Sequence, residues 1–131
     1  MTWVWVMFGS AIGGVLRYWL SGWASTHISE TFPIGTIIIN VTGSFVIGFF
    51  AALTGPDGRV FASSDTRQFV MTGICGGFTT FSSFSLQTLN LANDGEWFLS
   101  GVNVVASVVL CLIAVWLGFI AATALNQLKG A

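Results

Sequence analysis

The chain has 131 residues, of which 54% are hydrophobic and 7% are charged, so it cannot present the mixed-charge surface that keeps a soluble domain of this size in solution. Its composition therefore predicts a membrane protein. The net charge is −1 and the sequence contains no basic patch, which argues against nucleic acid as a partner.

The first predicted helix covers about residues 3–23 and carries Arg17 near its C-terminal end. A long basic side chain at that position can reach the membrane surface or face a wet cavity. No Lys or Arg precedes Arg17, whereas a secretory signal begins with basic residues, so we expect this segment to remain as a helix. The connection that follows, about 24–33, ends at Pro33, which favours a turn.

Three charge-free runs predict the other spans, because each is longer than the roughly 20 residues that cross the hydrocarbon core. The runs cover 31–56, 68–93 and 97–128, and the predicted helices cover about 34–53, 67–92 and 97–125. The connection at 54–66 is rich in turn and cap residues, and we expect Asp65 or Thr66 to cap the third helix. The short connection at 93–96 makes the last two helices antiparallel neighbours. The chain is thus predicted to form one four-helix membrane domain over 1–131.

The basic residues are divided unevenly between the two sides of the membrane. With four spans, Arg59, Arg67 and Lys129 lie on the side of both termini, and Arg17 lies on the other. The positive-inside rule then favours termini in the cytoplasm, but so small an excess is also compatible with insertion in both orientations.

Small residues recur four positions apart within the predicted spans, a spacing that lets membrane helices approach closely. The pairs are Gly9 with Gly13, Gly73 with Gly77, and Ser44 with Gly48. They are explained either by packing within one subunit or by packing between copies. Because four short spans enclose little volume, we expect a homo-oligomer.

The predicted spans contain no Asp, Glu, Lys or His, so a carrier that depends on a carboxylate has no obvious ligand. Their polar residues are neutral donors, which together with Arg17 suit a small anion. Polar stripes run along one face of the fourth helix and one face of the second, formed by Asn103, Ser107 and Cys111 and by Thr36, Asn40 and Gly43. Hydrogen bonds between neighbouring helices, at about 0.6 kcal/mol each, would explain either stripe equally well.

Two aromatic residues, Phe81 and Phe84, share a face of the third helix, where positive ring edges can contact an anion. Cys75 and Cys111 have no partner at metal-ligand spacing, and we expect both to be small core residues. No nucleophile, base and orienting group converge in the sequence, so an enzyme is not expected.

The segment 75–85, CGGFTTFSSFS, interrupts the smooth apolar pattern of the third helix. Paired glycines followed by Thr79 and Thr80 favour a local break. Unwound backbone survives in a bilayer only where it is buried in protein or lines a polar site. A desolvated monovalent cation or groups from another subunit would satisfy its carbonyls, unless the helix is continuous and uses its glycines for packing.

Three motifs resemble those of the Fluc-type (CrcB) fluoride channels: GGVLRY at 13–18, GTIIINV at 35–41 and GICGGFTTFSSFS at 73–85. The similarity extends over essentially the whole chain. It implies an all-α membrane protein of the plasma (inner) membrane with four transmembrane helices per subunit and the third broken in mid-membrane. It further implies an antiparallel, dual-topology homodimer with two pores that pass fluoride passively, and a structural Na⁺ at the dimer centre.

The resemblance also assigns roles by position. The backbone carbonyls of Gly76 and Thr79 would bind the Na⁺, with no organic cofactor. The fluoride pathway would comprise Phe81, Phe84, Asn40, Ser82, Ser83, Asn103, Ser107, Cys111 and Arg17. Partners would be fluoride, membrane lipid and a second copy of the chain.

The chain departs from the family pattern at three positions. Members of the family often have Glu where this chain has Gln87, Tyr where it has Asn103 and Ser where it has Cys111. A titrating carboxylate is therefore not expected at that depth, and Cys111 is a weaker donor than a hydroxyl. Two other functions stay open: a small dual-topology exporter of cationic drugs, which requires an intramembrane carboxylate, and a subunit that packs in a larger complex without transporting anything.

Overall fold

The computed structural model describes residues 1–29 and 31–129, without the side chain of residue 129, and is all-helical over these ranges, with no strand. Its elements are α1 (Thr2–His27), α2 (Ile34–Leu53), α3 (Ser64–Gln68), a π-helix (Phe69–Cys75), α4 (Gly76–Phe78), α5 (Phe81–Asn93) and α6 (Trp97–Lys129). The predicted connection at 24–33 and the predicted domain at 1–131 include residues 30, 130 and 131, which lie outside the described residues. The predicted count of basic residues includes the side chain of Lys129, which also lies outside them.

Three helical stretches are long and apolar enough to cross a membrane: Ile34–Leu53, Ser64–Asn93 and Trp97–Leu128. The first expected span, at 3–23, is part of α1 but does not belong to this set. The chain is therefore all-helical with three candidate spans among its described residues.

Two helix ends differ from the sequence expectation. α1 continues to His27, because Ala24 is fully buried and a Cβ added at Gly35 of α2 would lie 3.1 Å from the Ala24 Cβ. The expected cap of the third span at Asp65 or Thr66 is wrong. Ser63 is the N-cap of α3, since its backbone is extended and its Oγ accepts from the Thr66 N–H at 3.2 Å.

Glycines bring α1 into backbone contact with the third span. A Cβ added at Gly9 would overlap the carbonyl of Phe69 and lie 2.9 Å from the Gly73 Cα. One added at Gly77 would lie 2.6 Å from the Ser10 carbonyl oxygen. The small residues spaced by four thus pack within one subunit, so they are no evidence for an oligomer, which stays a prediction.

Close backbone contacts at glycines also join α2 to α6. A Cβ at Gly48 would overlap the Val115 carbonyl, and one at Gly118 would lie 2.9 Å from the Phe49 nitrogen. At one end of this pair, the Asn126 Oδ1 accepts from the Arg59 N–H at 2.7 Å, which holds the 54–63 connection against α6. These contacts fix α2 and α6 side by side, and α1 and α2 flank the break in the third span.

Candidate functional site

The third span is interrupted at Thr79 and Thr80. Thr79 has φ −81° and ψ 155°, and Thr80 has φ −149° and ψ 118°, both extended. A break was predicted here, but the structure places it after the glycines: Gly76 is helical, with φ −65° and ψ −36°. The reason is packing, because Gly77 is held against the α1 backbone in helical form.

The break redirects two backbone donors. In a continuous helix the Thr80 N–H would bond to the Gly76 carbonyl, and the Ser83 N–H to the Thr79 carbonyl. Instead, the Thr80 N–H donates to the Asn40 Oδ1 at 2.8 Å, and the Ser83 N–H donates to the Thr80 Oγ1 at 3.3 Å. The carbonyls of Gly76 and Thr79 therefore lose their helical donors.

Asn40 binds both backbone groups of Thr80. Its Oδ1 accepts from the Thr80 N–H, and its Nδ2 donates to the Thr80 carbonyl at 3.0 Å. The amide of one α2 side chain thus replaces the helical acceptor that the Thr80 N–H loses and adds a donor to the N-cap carbonyl of α5, and one Nδ2 hydrogen remains for another acceptor. Gly43 lies one turn further along α2 and leaves room for the Thr79 methyl group, because a Cβ at position 43 would overlap it.

Arg17 also contacts the break. Its Nε donates to the Gly77 carbonyl at 3.4 Å, an oxygen that the Phe81 N–H would bind in a continuous helix. The side chain is partly buried. The guanidinium expected near one mouth of a pathway therefore lies against the C-terminal end of the helical segment before the break.

A cavity of about 320 Å³ opens at the break. It is lined by Asn40, Gly43, Ser44, Ile47, Cys75, Gly76, Thr79, Thr80, Phe81, Phe84, Ser107, Val108 and Cys111. The structure thus brings together residues predicted from the second, third and fourth helices. Arg17, Ser82, Ser83 and Asn103 were predicted with them but do not line the cavity. No acidic or basic side chain belongs to this lining among the described residues.

The two phenylalanines lie together at the cavity. Their ring centroids are 5.3 Å apart and the ring planes are inclined at 54°, so an edge of one ring is turned toward the other. Phe84 is partly buried, whereas Phe81 is 77% exposed. The aromatic pair therefore borders the cavity on a side that the rest of this chain leaves open.

The polar stripe of α6 divides in two. Ser107 and Cys111 line the cavity, but Asn103 is 1% exposed and lies away from it. The Asn103 Nδ2 donates to the Thr88 Oγ1 at 2.9 Å, and its Oδ1 accepts from the Ser107 hydroxyl at 3.4 Å. Thr36 of the α2 stripe is also buried away from the cavity.

Thr88 is a residue that the sequence reasoning missed. Its hydroxyl donates to the Phe84 carbonyl at 2.7 Å while it accepts from Asn103, and its own carbonyl accepts from the Ser100 hydroxyl at 3.0 Å. Thr88 thereby links α6 to the backbone that carries one of the cavity phenylalanines. Its i+4 spacing from Phe84 is the only sequence signal that points to it.

The serines after the break serve the start of α5. The hydroxyls of Ser82 and Ser83 lie 3.3 Å from the Thr80 Oγ1, the cap of this helix. Further along, the Oε1 of Gln87 is buried and has no hydrogen-bond partner among the described residues. Because Thr80 and Phe81 line the cavity, the N-terminal end of α5 faces it.

Comparison with known proteins gives concordant matches. Residues 4–119 match the protein family described as CrcB-like protein, Camphor Resistance (CrcB). A protein of Opitutus terrae named fluoride-specific ion channel FluC is 61% identical over 127 residues, covering 97% of this chain and 96% of that protein. A protein of the same name from Methylocella silvestris is 56% identical to this chain over 131 residues, which cover 100% of both chains. Another from Paramagnetospirillum magneticum is 61% identical over 127 residues, which cover 97% of this chain and 99% of that protein.

Proposed function

The chain belongs to the CrcB family, and on that premise we propose that it is a passive, fluoride-selective ion channel of the inner membrane. The observation that carries the proposal is the cavity at the break, where neutral donors and two aromatic rings meet with no acidic or basic side chain in the described lining. The chain is a multi-pass membrane protein with three apolar spans, Ile34–Leu53, Ser64–Asn93 and Trp97–Leu128. We propose α1 as the fourth span.

The contacts of α1 support the proposal that it is the fourth span. Gly9 meets Phe69 and Gly73, and Arg17 reaches the Gly77 carbonyl, so α1 runs beside the third span from near its start to its break. A helix that accompanies a membrane span over this length crosses the bilayer with it. Arg17 lowers the hydropathy of α1, but its guanidinium rests on a carbonyl instead of facing lipid.

An anion suits this site better than a cation. The N-terminal end of α5 carries a partial positive charge and opens on the cavity. Phe81 and Phe84 line the same cavity, and the positive edge of an aromatic ring attracts an anion. Fluoride holds its water tightly, so a pathway must replace that water by several weak donors in sequence, none strong enough to trap the ion.

Passive flow is sufficient for export. Hydrogen fluoride enters a cell as a neutral molecule and ionises at cytoplasmic pH, and a negative-inside potential then drives the anion outward. This potential supplies about 2.3 kcal/mol per elementary charge per 100 mV, so no coupling ion is required. The pathway in this proposal comprises the residues named above by resemblance, with Phe81, Phe84, Asn40, Ser107 and Cys111 at the cavity.

The functional unit is an antiparallel, dual-topology homodimer with two pores and a structural Na⁺ at its centre. The carbonyls of Gly76 and Thr79 would hold that ion, and they fit it because their helical donors, the N–H groups of Thr80 and Ser83, are bound elsewhere. A bound Na⁺ would supply a fixed positive charge that satisfies these oxygens. A second subunit would also cover Phe81, which is 77% exposed in one chain.

The test is efflux of fluoride and of chloride from vesicles that contain the purified protein, followed with ion-selective electrodes. Fluoride should leave and chloride should stay. Phe81→Ile and Phe84→Ile should each abolish fluoride efflux, whereas Phe61→Ile, a change in the 54–63 connection, should not. Wild-type efflux in both cavity variants would remove the aromatic pathway.

Replacing Na⁺ throughout tests the central ion. Dimer content or fluoride flux should fall, and indifference to the cation present would count against the site. A drug exporter would require a carboxylate in the cavity, but the described ones, Asp57, Asp65, Asp94 and Glu96, do not line it. A non-transporting subunit would give no flux from the purified protein.

A further inference from the structure

Both cysteines of the chain open on the cavity at the break. Cys75 lies at the end of the π-helix and is 4% exposed, and Cys111 lies on α6 and is partly buried. Both thiols are free, and neither forms a hydrogen bond within the described ranges. Two cysteines from separate elements therefore line one cavity, which the proposed fluoride route also uses.

We propose that this cavity binds soft, thiophilic monovalent cations, the class of Cu⁺ and Ag⁺, and that a bound ion closes the fluoride route. The second part rests on the proposed function, whereas the first does not. Thiolate sulfur selects soft ions over Na⁺, K⁺ and Mg²⁺, so this site differs in ligand type from the carbonyl site proposed for Na⁺, although Gly76 and Thr79 line the same cavity.

The chemistry balances without an added reactant. The S–H bond of Cys111, the more accessible thiol, breaks as the sulfur–metal bond forms, and the proton passes to buffer. No electron is transferred. The product is a neutral thiolate–metal pair, which a membrane interior accepts at far lower cost than a free cation or thiolate. The thiol of Cys75 is the second donor.

The positive end of α5 disfavours a free cation in this cavity, but the surroundings suit an ion that is neutralised by a thiolate. The lining contributes no acidic or basic side chain in the described part of the chain, so it offers no competing carboxylate and no ammonium group. Arg17 lies just outside, with its Nε on the Gly77 carbonyl. Phe81 and Phe84 line the same cavity of about 320 Å³ as the two cysteines, so an ion bound by the thiols lies on the proposed fluoride route.

The experiment uses Ag⁺, which keeps one oxidation state and does not precipitate fluoride. Purified protein is incubated with Ag⁺ in a chloride-free nitrate buffer, washed, and assayed for retained silver by mass spectrometry. In parallel, fluoride efflux from vesicles is measured with and without Ag⁺, and each variant is compared with its own silver-free rate. The variants are Cys75→Ser, Cys111→Ser, the double change, and Met7→Leu, which removes an exposed sulfur of α1 outside the cavity.

We expect wild type and Met7→Leu to retain silver and to lose fluoride efflux by at least about tenfold, since an ion bound on the route obstructs the passage of others. Cys111→Ser and the double variant should retain none and keep their own rates with silver, and Cys75→Ser should bind more weakly. Absence of silver from wild type, or equal retention by the double variant, overturns the site. If silver binds through the thiols but fluoride efflux is unchanged, the proposal that a bound ion closes the fluoride route is wrong. If fluoride does not flow even without silver, the proposed function fails, and silver retention still decides the site.

Discussion

Replacing Asn40 by leucine tests how the break is held. The change keeps the branched shape and the number of side-chain heavy atoms but removes the two hydrogen bonds, at 2.8 and 3.0 Å, that Asn40 makes with the backbone of Thr80. The Thr80 N–H is left without a partner, which costs about 1–3 kcal/mol, whereas the Thr80 carbonyl is the N-cap carbonyl of α5 and loses only an additional donor, at about 0.5–1.5 kcal/mol. Because Thr80 lines the cavity and is only partly buried, water that reaches it would bring the loss toward the lower figure of each range.

The assays are thermal unfolding in detergent and hydrogen exchange of the Thr80 amide. Asn40→Leu should lower the melting temperature by several degrees and speed exchange at Thr80. Thr42→Val is the matched control, because Thr42 is exposed on the same helix and its hydroxyl forms no hydrogen bond in the described part of the chain. If Asn40→Leu unfolds and exchanges like the control, Asn40 does not hold the break.

Two further substitutions probe the neighbouring contacts. Thr88→Val should slow fluoride efflux and weaken discrimination against chloride, because the Phe84 carbonyl loses the hydroxyl that ties it to α6. Ser85→Ala removes a bond of the same i−4 kind, at 3.0 Å, that has no link to α6, and equal effects of the two changes would refute the positioning role. Gly77→Ala should destabilise the protein by about 1–3 kcal/mol in a melting assay, since its Cβ would lie 2.6 Å from a backbone oxygen of α1. Gly14→Ala, which meets nothing within 4 Å, should melt like wild type, and a matching loss there would refute the packing argument.

Local composition predicts the helices well and the contacts between them poorly. The charge-free runs place α2 over Ile34–Leu53, because apolar content and a nearby proline are local signals. The glycine pair pointed to a break in the correct segment. Its position at Thr79 and Thr80 depends on how Gly77 packs against α1, which no local pattern reports.

The polar stripe of α6 shows the same limit. Helical spacing puts Asn103, Ser107 and Cys111 on one face, but it does not say which neighbour each residue meets. Because Thr88 lies opposite Asn103 and accepts from it at 2.9 Å, that amide is drawn away from the cavity. The π-helix at Phe69–Cys75 is likewise set by tertiary packing, and no feature of the sequence predicts it.

The hydrogen bonds of the cavity bear on whether one chain is a complete pathway. The hydroxyl protons of Thr79 and Ser107 are already donated, to the Cys75 carbonyl and to the Asn103 Oδ1. The side-chain donors that remain in the described lining are the second Nδ2 hydrogen of Asn40, the Ser44 hydroxyl and the weak thiols of Cys75 and Cys111. An anion that surrenders a tight hydration shell requires more donors than these. We therefore expect donors from a second copy to complete the site, so that fluoride binding should weaken when the protein is diluted in detergent until it is monomeric.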